Sequence, residues 1–240
     1  MSVVLSWSGG KDSALGLWTM RAAGTEPVAL LTTVNEDHGR ISIHGVRREL
    51  LHAQAAAVGL PLVEVGIPTG ASNALYEERL AAKLTADPHA GAVGPSLAAA
   101  DRSPADADAS LTDADTVAFA DLFLADIRAY RERQLAALGR RASFPLWGRD
   151  TAALARTFVA AGFGATLVVV DTEQLDPSFV GRRFDAELLR DLPAGVDPCG
   201  ENGEFHTFVD SGPIFDAPIP VEPGELHDEG RFVYRDLHPA

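Results

Sequence analysis

The sequence predicts an α/β protein organised on a parallel sheet, and three features near its start carry that expectation. Val3-Val4-Leu5 reads as a short buried strand. It breaks into Ser8-Gly9-Gly10-Lys11-Asp12-Ser13, after which Ala14, Leu15, Leu17 and Trp18 recur at helical spacing. Pro27 to Val34, rich in Val, Leu and Thr, supplies a second strand. Strand, helix and strand within ~35 residues make a βαβ unit, whose strands are parallel and whose crossover is right-handed.

The remaining elements follow in order. Asn35 to Arg40 is a polar loop at the carboxyl edge of the sheet, where ligands of such folds bind. Val46, Leu50, Ala53, Ala57 and Val58 mark an amphipathic helix closed by Gly59. Leu62 to Ile67 is a third strand, stopped by Pro68, and Leu75 to Leu84 a further helix. From Thr85 to Asp115 Ala, Asp, Pro and Ser dominate and no period is sustained, the pattern of a solvated insertion. Thr116 to Ala120 reads as a short strand, Leu122 to Leu138 as a helix, and Phe144 to Gly148 as a turn or edge segment. Thr151 is placed to cap a helix over Ala152 to Ala161, ended by Gly162. Thr166 to Val170, the most β-branched run, is expected as a central strand, and Phe179 to Leu192 as a helix. Alternating Phe205, Thr207 and Val209 predict a strand, and the tail reads as short strands joined by Pro-Gly turns. The implied division is an α/β domain over 1–84 and 116–195, an insertion over 85–115, and a C-terminal region over 196–240.

Composition narrows the function. At 240 residues, 46% of them hydrophobic, the chain buries a real core. A formal net charge of −14 with no segregated run of Lys and Arg argues against nucleic acid as a partner. The absence of a long apolar run predicts no membrane span. One cysteine and no signal-peptide pattern predict a cytoplasmic, disulfide-free protein. The histidines and the cysteine show no zinc-site spacing.

The loop after the first strand carries the chemistry. A strand, a tight glycine turn and a helix start bring backbone N–H groups together on an anion. Gly9 and Gly10 leave room for a phosphate, Ser8 and Ser13 offer hydroxyls, Lys11 adds a point charge, and Asp12 can hold magnesium. The spacing is not that of a Walker A loop, since position 5 is Leu5 rather than glycine. The run Ser8 to Ser13 resembles the SGGxDS signature of the PP-loop ATP pyrophosphatases.

A second stretch, Cys199-Gly200-Glu201-Asn202-Gly203-Glu204-Phe205-His206-Thr207, sharpens the resemblance. Together with His44-Gly45-Val46, Val117 to Asp121, Pro145-Leu146-Trp147, Leu175-Asp176 and Gly181-Arg182, it is similar to the diphthine–ammonia ligase branch of that superfamily. The resemblance runs from Met1 to about Phe215, leaving out the insertion. It implies a HUP/Rossmann-like parallel sheet with helices on both faces. It also implies ATP and Mg2+ as cofactors, with ATP adenylating a carboxylate and ammonia then displacing AMP to leave an amide.

On that resemblance Ser6, Ser8, Gly9, Gly10, Lys11 and Ser13 hold the nucleotide, and Asp12 holds the metal. Lys11 and Asp12 neutralise the leaving pyrophosphate, and the loop Cys199 to His206 covers the acyl-adenylate. Glu201 and Glu204 handle ammonia and its proton, with His206 beside them. On local pattern alone the glutamates form a solvated acidic turn and His206 a hydrogen-bonded core residue. Asp121 and Asp171, at strand ends, fit site residues or helix caps equally, Arg182 and Arg183 fit partners of a substrate carboxylate or phosphate or else exposed charges, and Cys199 reads as a structural thiol. Competing functions are a tRNA sulfurtransferase, which needs a second reactive cysteine and a basic face, and an ATP-binding module without catalysis. A homodimer stays open as an assembly.

Overall fold

A computed structural model describes residues 2–37, 40–41, 45–85, 111 and 113–240. His44 and most of the 85–115 insertion lie outside those residues. The first sheet contains β1 (Val3–Ser6), β2 (Ala29–Asn35), β3 (Arg40–Ile41), β4 (Leu62–Ile67), β5 (Thr116–Ala118) and β6 (Arg141–Ser143). β1 is central, parallel to β2 on one side and β5 on the other. β6 adds parallel to β5, β4 runs parallel to β2, and the short β3 pairs antiparallel with the end of β2. The parallel β/α architecture expected from the first βαβ unit is present.

Strand alternation explains why helices cover both faces. Val3, Leu5 and Leu30 point to one side, into the cluster that holds Leu15 and Leu17 of α1 (Lys11–Ala22) and Leu50 and Leu51 of α2 (Arg48–Val58). Val4 and Leu31 point to the other, against Leu80 and Leu84 of α3 (Asn73–Thr85) and Leu135 of α4 (Ala125–Ala137). α2 stops where expected, at Gly59 with φ +76. Among the described residues no helix is long and apolar enough to cross a membrane.

The run Thr166–Val170 is an interior strand, but of a different sheet. β7 (Gly164–Asp171) lies between β8 (Phe205–Ser211) and β10 (Phe232–Pro239), with β9 (Val221–Asp228) beyond, all antiparallel. A run apolar on both faces reads the same in a parallel or an antiparallel sheet, so composition alone does not separate the two. The first cluster continues unbroken from Leu15 and Leu17 into Leu167, Val169 and Phe208, so α1 shares its core with the second sheet.

Three further expectations are corrected. The helix over 179–192 is a 3-10 turn at Pro177–Phe179 and then only α6 (Ala186–Asp191). Gly181 at φ +83 breaks the run, and Asp185 starts the second piece by accepting from Glu187 N and Leu188 N. The cap of α5 (Thr151–Ala160) is Asp150, accepting from Ala153 N at 2.6 Å, not Thr151. The expected helix at 122–138 begins only at Ala125.

Two polar clusters tie the parts together. Asp236 on β10 accepts from Arg40 at 2.9 and 3.2 Å and from Arg47 at 3.2 and 2.5 Å, joining the second sheet to β3 and the entrance of α2. Burial pushes the Asp236 carboxyl up, yet the two guanidinium groups hold it well below the usual carboxylate range. Arg140 donates to Leu111 O at 2.9 Å and Ala114 O at 2.6 Å, and also to Leu84 O. Leu84 and Leu111 are fully buried, so the two flanks of the 85–115 segment meet at one side chain and pack in the core.

Candidate active site

The glycine loop is assembled from both sheets. Gly9 takes φ +74, and a Cβ there would lie 2.6 Å from Gln54 Oε1. Gly9 O accepts from Val209 N on β8 at 3.0 Å and from Gln54 Nε2 at 2.9 Å. The fully buried Gln54 also donates to Val209 O at 2.6 Å and accepts from Trp7 Nε1 at 3.0 Å. One side-chain amide thus joins β1, α2 and β8 at the loop. Lys11 N donates to Thr207 Oγ1 at 3.0 Å, and Gly10 N to Ser8 Oγ at 3.3 Å. Gly10, as N-cap, has no side chain to close the first turn of α1, whose positive end faces this space.

Lys11 Nζ reaches the two Asp12 oxygens at 2.9 and 2.7 Å, with the Lys11 side chain only 5% exposed. Burial alone would lower the ammonium, but contact with Asp12 holds it above its ordinary value, so Lys11 stays charged. Ser13 Oγ donates to Gly10 O at 2.9 Å.

The late loop sorts its carboxylates. Glu204 is 2% exposed and accepts from Asp197 N at 2.9 Å, Asn202 N at 3.0 Å and Asn202 Nδ2 at 2.9 Å. Asp197 accepts from Cys199 N at 2.8 Å and from Thr151 Oγ1 at 2.6 Å. Glu201 receives Leu122 N at 2.7 Å and otherwise faces a cavity. Burial pushes its carboxyl up to about 7, with the Asp12 charge adding to the rise.

That cavity, of ≈ 250 Å³, is lined by Ser8, Lys11, Asp12, Asp121, Glu201 and His206, among others. Burial, with the Lys11 charge, lowers the His206 imidazole to about 4, so it is neutral near pH 7. A second, more apolar cavity of ≈ 390 Å³ adjoins it, with Leu31, Thr32, Ile67, Tyr76 and Leu80 on its wall. Ser6, Ser8, Phe119 and Arg131 line both. Thr32 Oγ1, on the apolar wall, is buried without a hydrogen-bond partner.

Of the residues singled out from sequence, Ser6, Ser8, Gly10, Lys11, Asp12, Ser13, Glu201 and His206 line one cavity. Glu204 does not: its carboxylate is engaged by its own loop, a correction that spacing did not reveal. Cys199 is buried, its thiol donates to Thr151 O at 3.3 Å, and burial pushes it up to about 12, which disarms it as a nucleophile. Asp171 is held down to about 2 by hydrogen bonds from Arg231, away from the cavity. Arg182 is paired with Asp191 and Arg183 with Asp210. Sequence reasoning misses Gln54 and Arg131 and holds Thr207 only as the last residue of the late motif and a strand position; Gln54 leaves a trace as a polar residue four positions after Leu50 on an apolar stripe.

A metal would have to rely on few protein ligands, since no group of three or more His, Cys, Asp or Glu gathers among the described residues. Asp12, 31% exposed toward the cavity, fits a magnesium ion that arrives on phosphates, which needs only one or two carboxylates.

Comparison with known proteins finds two family models that match this chain. Residues 1–92 match the family model described as diphthamide synthase N-terminal domain, and residues 150–236 the diphthamide synthase C-terminal domain. A diphthine–ammonia ligase of Danio rerio is 35% identical over 94 residues, 36% of this chain. The match spans 37% of that relative's length.

Proposed function

The chain belongs to the diphthamide synthase family, and from that premise we propose that it is an ATP-dependent ligase joining ammonia to a carboxylate. The observation that carries the proposal is one cavity faced by both the glycine loop and Glu201. ATP lies with its phosphates on the first turn of α1 and Lys11, and its adenosine in the apolar cavity, where the unpartnered Thr32 hydroxyl meets the base. Asp12 would hold a magnesium ion arriving on the phosphates, which would neutralise their charge, and Lys11 would turn to the pyrophosphate.

A substrate carboxylate oxygen bonds to the α-phosphorus, and the bond to the β-phosphate bridge breaks, so pyrophosphate leaves with the electron pair. Ammonium gives its proton to Glu201, whose raised basicity suits it better than an ordinary carboxylate. The ammonia forms a C–N bond, the bond from the acyl carbon to the AMP oxygen breaks with its electron pair on AMP, and the surplus N–H proton leaves with the AMP phosphate. His206, which lines the same cavity, is neutral near pH 7 and does not repel ammonium there. Glu204 and Asp197 hold the loop that carries Glu201.

A buried, raised thiol speaks against the sulfurtransferase alternative. The test is a product assay with ATP, magnesium, ammonium and a panel of carboxylates. AMP and pyrophosphate formation that requires both ammonium and a carboxylate supports the proposal. Release of ADP, or AMP formation indifferent to both, overturns it.

A further inference from the structure

Arg131 stands where the two cavities meet. It rises from the middle of α4 and is the one cation among the residues that line both spaces. Its guanidinium lies over the Phe119 ring, with Cζ 4.2 Å from the centroid. Nε is 2.7 Å from Asp121 Oδ2, and Nη2 donates to Asp121 Oδ1 at 3.2 Å. Both side chains are largely covered, at 24% and 15% exposure. Even so, Nε and Asp121 Oδ2 are buried with no aligned hydrogen bond. Nε and Nη2 meet the two Asp121 oxygens, one of them poorly aligned, and Tyr76 of α3 interacts with the same guanidinium, so carboxylate, phenol and ring fix the cation at the junction of the two cavities.

The covalent order of ATP says what belongs at such a junction. With phosphates on the glycine loop and adenosine in the apolar cavity, the α-phosphate lies between them, at the wall both share. We infer that Arg131 contacts the α-phosphate and is a catalytic residue of the adenylation step, an inference that rests on the nucleotide placement proposed above. As the carboxylate oxygen bonds to phosphorus and the bridge to the β-phosphate breaks, five oxygens crowd around phosphorus. The α-phosphate's non-bridging oxygens keep their negative charge while an anion approaches. A fixed guanidinium offsets that repulsion, an effect typically worth ~10²–10³ in rate. Asp121 and Phe119 hold the cation in place before ATP arrives, so little reorganisation is needed at the moment of reaction.

The test needs no substrate beyond the nucleotide. Adenosine, AMP and ATP are titrated into wild type, Arg131→Gln, Arg131→Lys and Asp121→Asn by calorimetry. Arg131→Gln should weaken AMP about tenfold to a hundredfold and leave adenosine unchanged. Arg131→Lys should recover part of that loss. Asp121→Asn removes the competing charge and should tighten AMP, again without effect on adenosine, which keeps the test alive if Arg131→Gln does not fold. An AMP-to-adenosine affinity ratio unchanged in the Arg131 and Asp121 variants overturns the inference, including the case in which Arg131 meets the substrate carboxylate instead. Wild type that binds neither ATP nor AMP overturns the proposed function itself, a separate result.

Discussion

Two loops face each other across the polar cavity, and they are held in opposite ways. The glycine loop, Ser8 to Ser13, is fixed from outside, by Gln54 on α2 and by Thr207 and Val209 on β8. The late loop, Asp197 to Glu204, is mostly fixed from inside, its N–H groups closing on its own carboxylates Asp197 and Glu204. The first arrangement makes the phosphate binding proposed for this loop depend on the contact between the two sheets. The second leaves one carboxylate, Glu201, facing the cavity on a rigid support. Two glutamates that look alike in Gly-Glu-Asn-Gly-Glu therefore differ in kind. Glu204 collects three loop donors, whereas Glu201 receives one backbone N–H and is pushed up to about 7.

The comparison breaks most clearly at Glu201. Glu201→Gln keeps an acceptor for Leu122 N but takes no proton. Amide formation should fall ~10²–10⁴-fold while carboxylate-dependent exchange of labelled pyrophosphate into ATP persists. Parallel loss of both activities would remove the ammonia role. Wild-type amide formation should in turn drop about tenfold per pH unit below about 7, as Glu201 becomes protonated, with exchange much flatter.

Gln54→Met tests the outside bracing of the first loop. It leaves Trp7 Nε1 and Val209 O buried and unpaired, for a loss of ~2–4 kcal/mol in urea unfolding. A loss under ~0.5 kcal/mol would mean the loop is held without it. Next in size, Lys11→Ala should weaken ATP by tenfold to a hundredfold, ~1.5–3 kcal/mol. Equal ATP affinity by calorimetry would detach Lys11 from the phosphates.

Linkage sharpens the contrast from the stability side. Because the folded Glu201 binds its proton up to about 7, above an ordinary carboxylate, the folded state holds the extra proton between roughly pH 4.5 and 7. Wild-type stability should fall as pH rises through that window. Glu201→Gln should be more stable than wild type by ~1–3 kcal/mol at pH 8 and nearly equal at pH 4.5. No difference at pH 8 would show that Glu201 ionises without penalty. The smallest effect is expected from replacing residues 86–110 with a short Gly-Ser linker. Leu84 and Leu111 already meet at Arg140, so closing that gap should change stability by less than ~1 kcal/mol. A large loss would show that the segment packs against the domain.

Periodicity made the first sheet legible. Leu62–Ile67 matches β4 end for end, and Gly59 closes α2, because alternation and a left-handed glycine are local signals. β6, Arg141-Ala142-Ser143, was invisible because it carries no apolar alternation. The loop Ser8 to Ser13 stands out by residue type and spacing, and Ser8, Gly10, Lys11, Asp12 and Ser13 of it line one cavity. What spacing could not show was which donors reach which carboxylate. Glu204 and Glu201 were therefore given one role, and Arg131, on a helix without a motif, was passed over. Such assignments depend on contacts between residues distant in the chain, and one sequence does not record them.

The hydrogen bond from Lys11 to Thr207 spans 196 positions of the chain. At ~5–20 residues per second, a ribosome needs on the order of ten to forty seconds to synthesise that interval. Throughout it the first loop of the nascent chain lacks the strand that completes it. Helix α1 and its parallel neighbours can form early, from local contacts, but β8 must arrive across a closure of 196 positions. Nucleotide affinity should therefore appear late and abruptly during synthesis, with little in fragments that stop short of β8. A half-made chain would then hold no ATP, and activation chemistry could not begin before the loop that shields its product has been made.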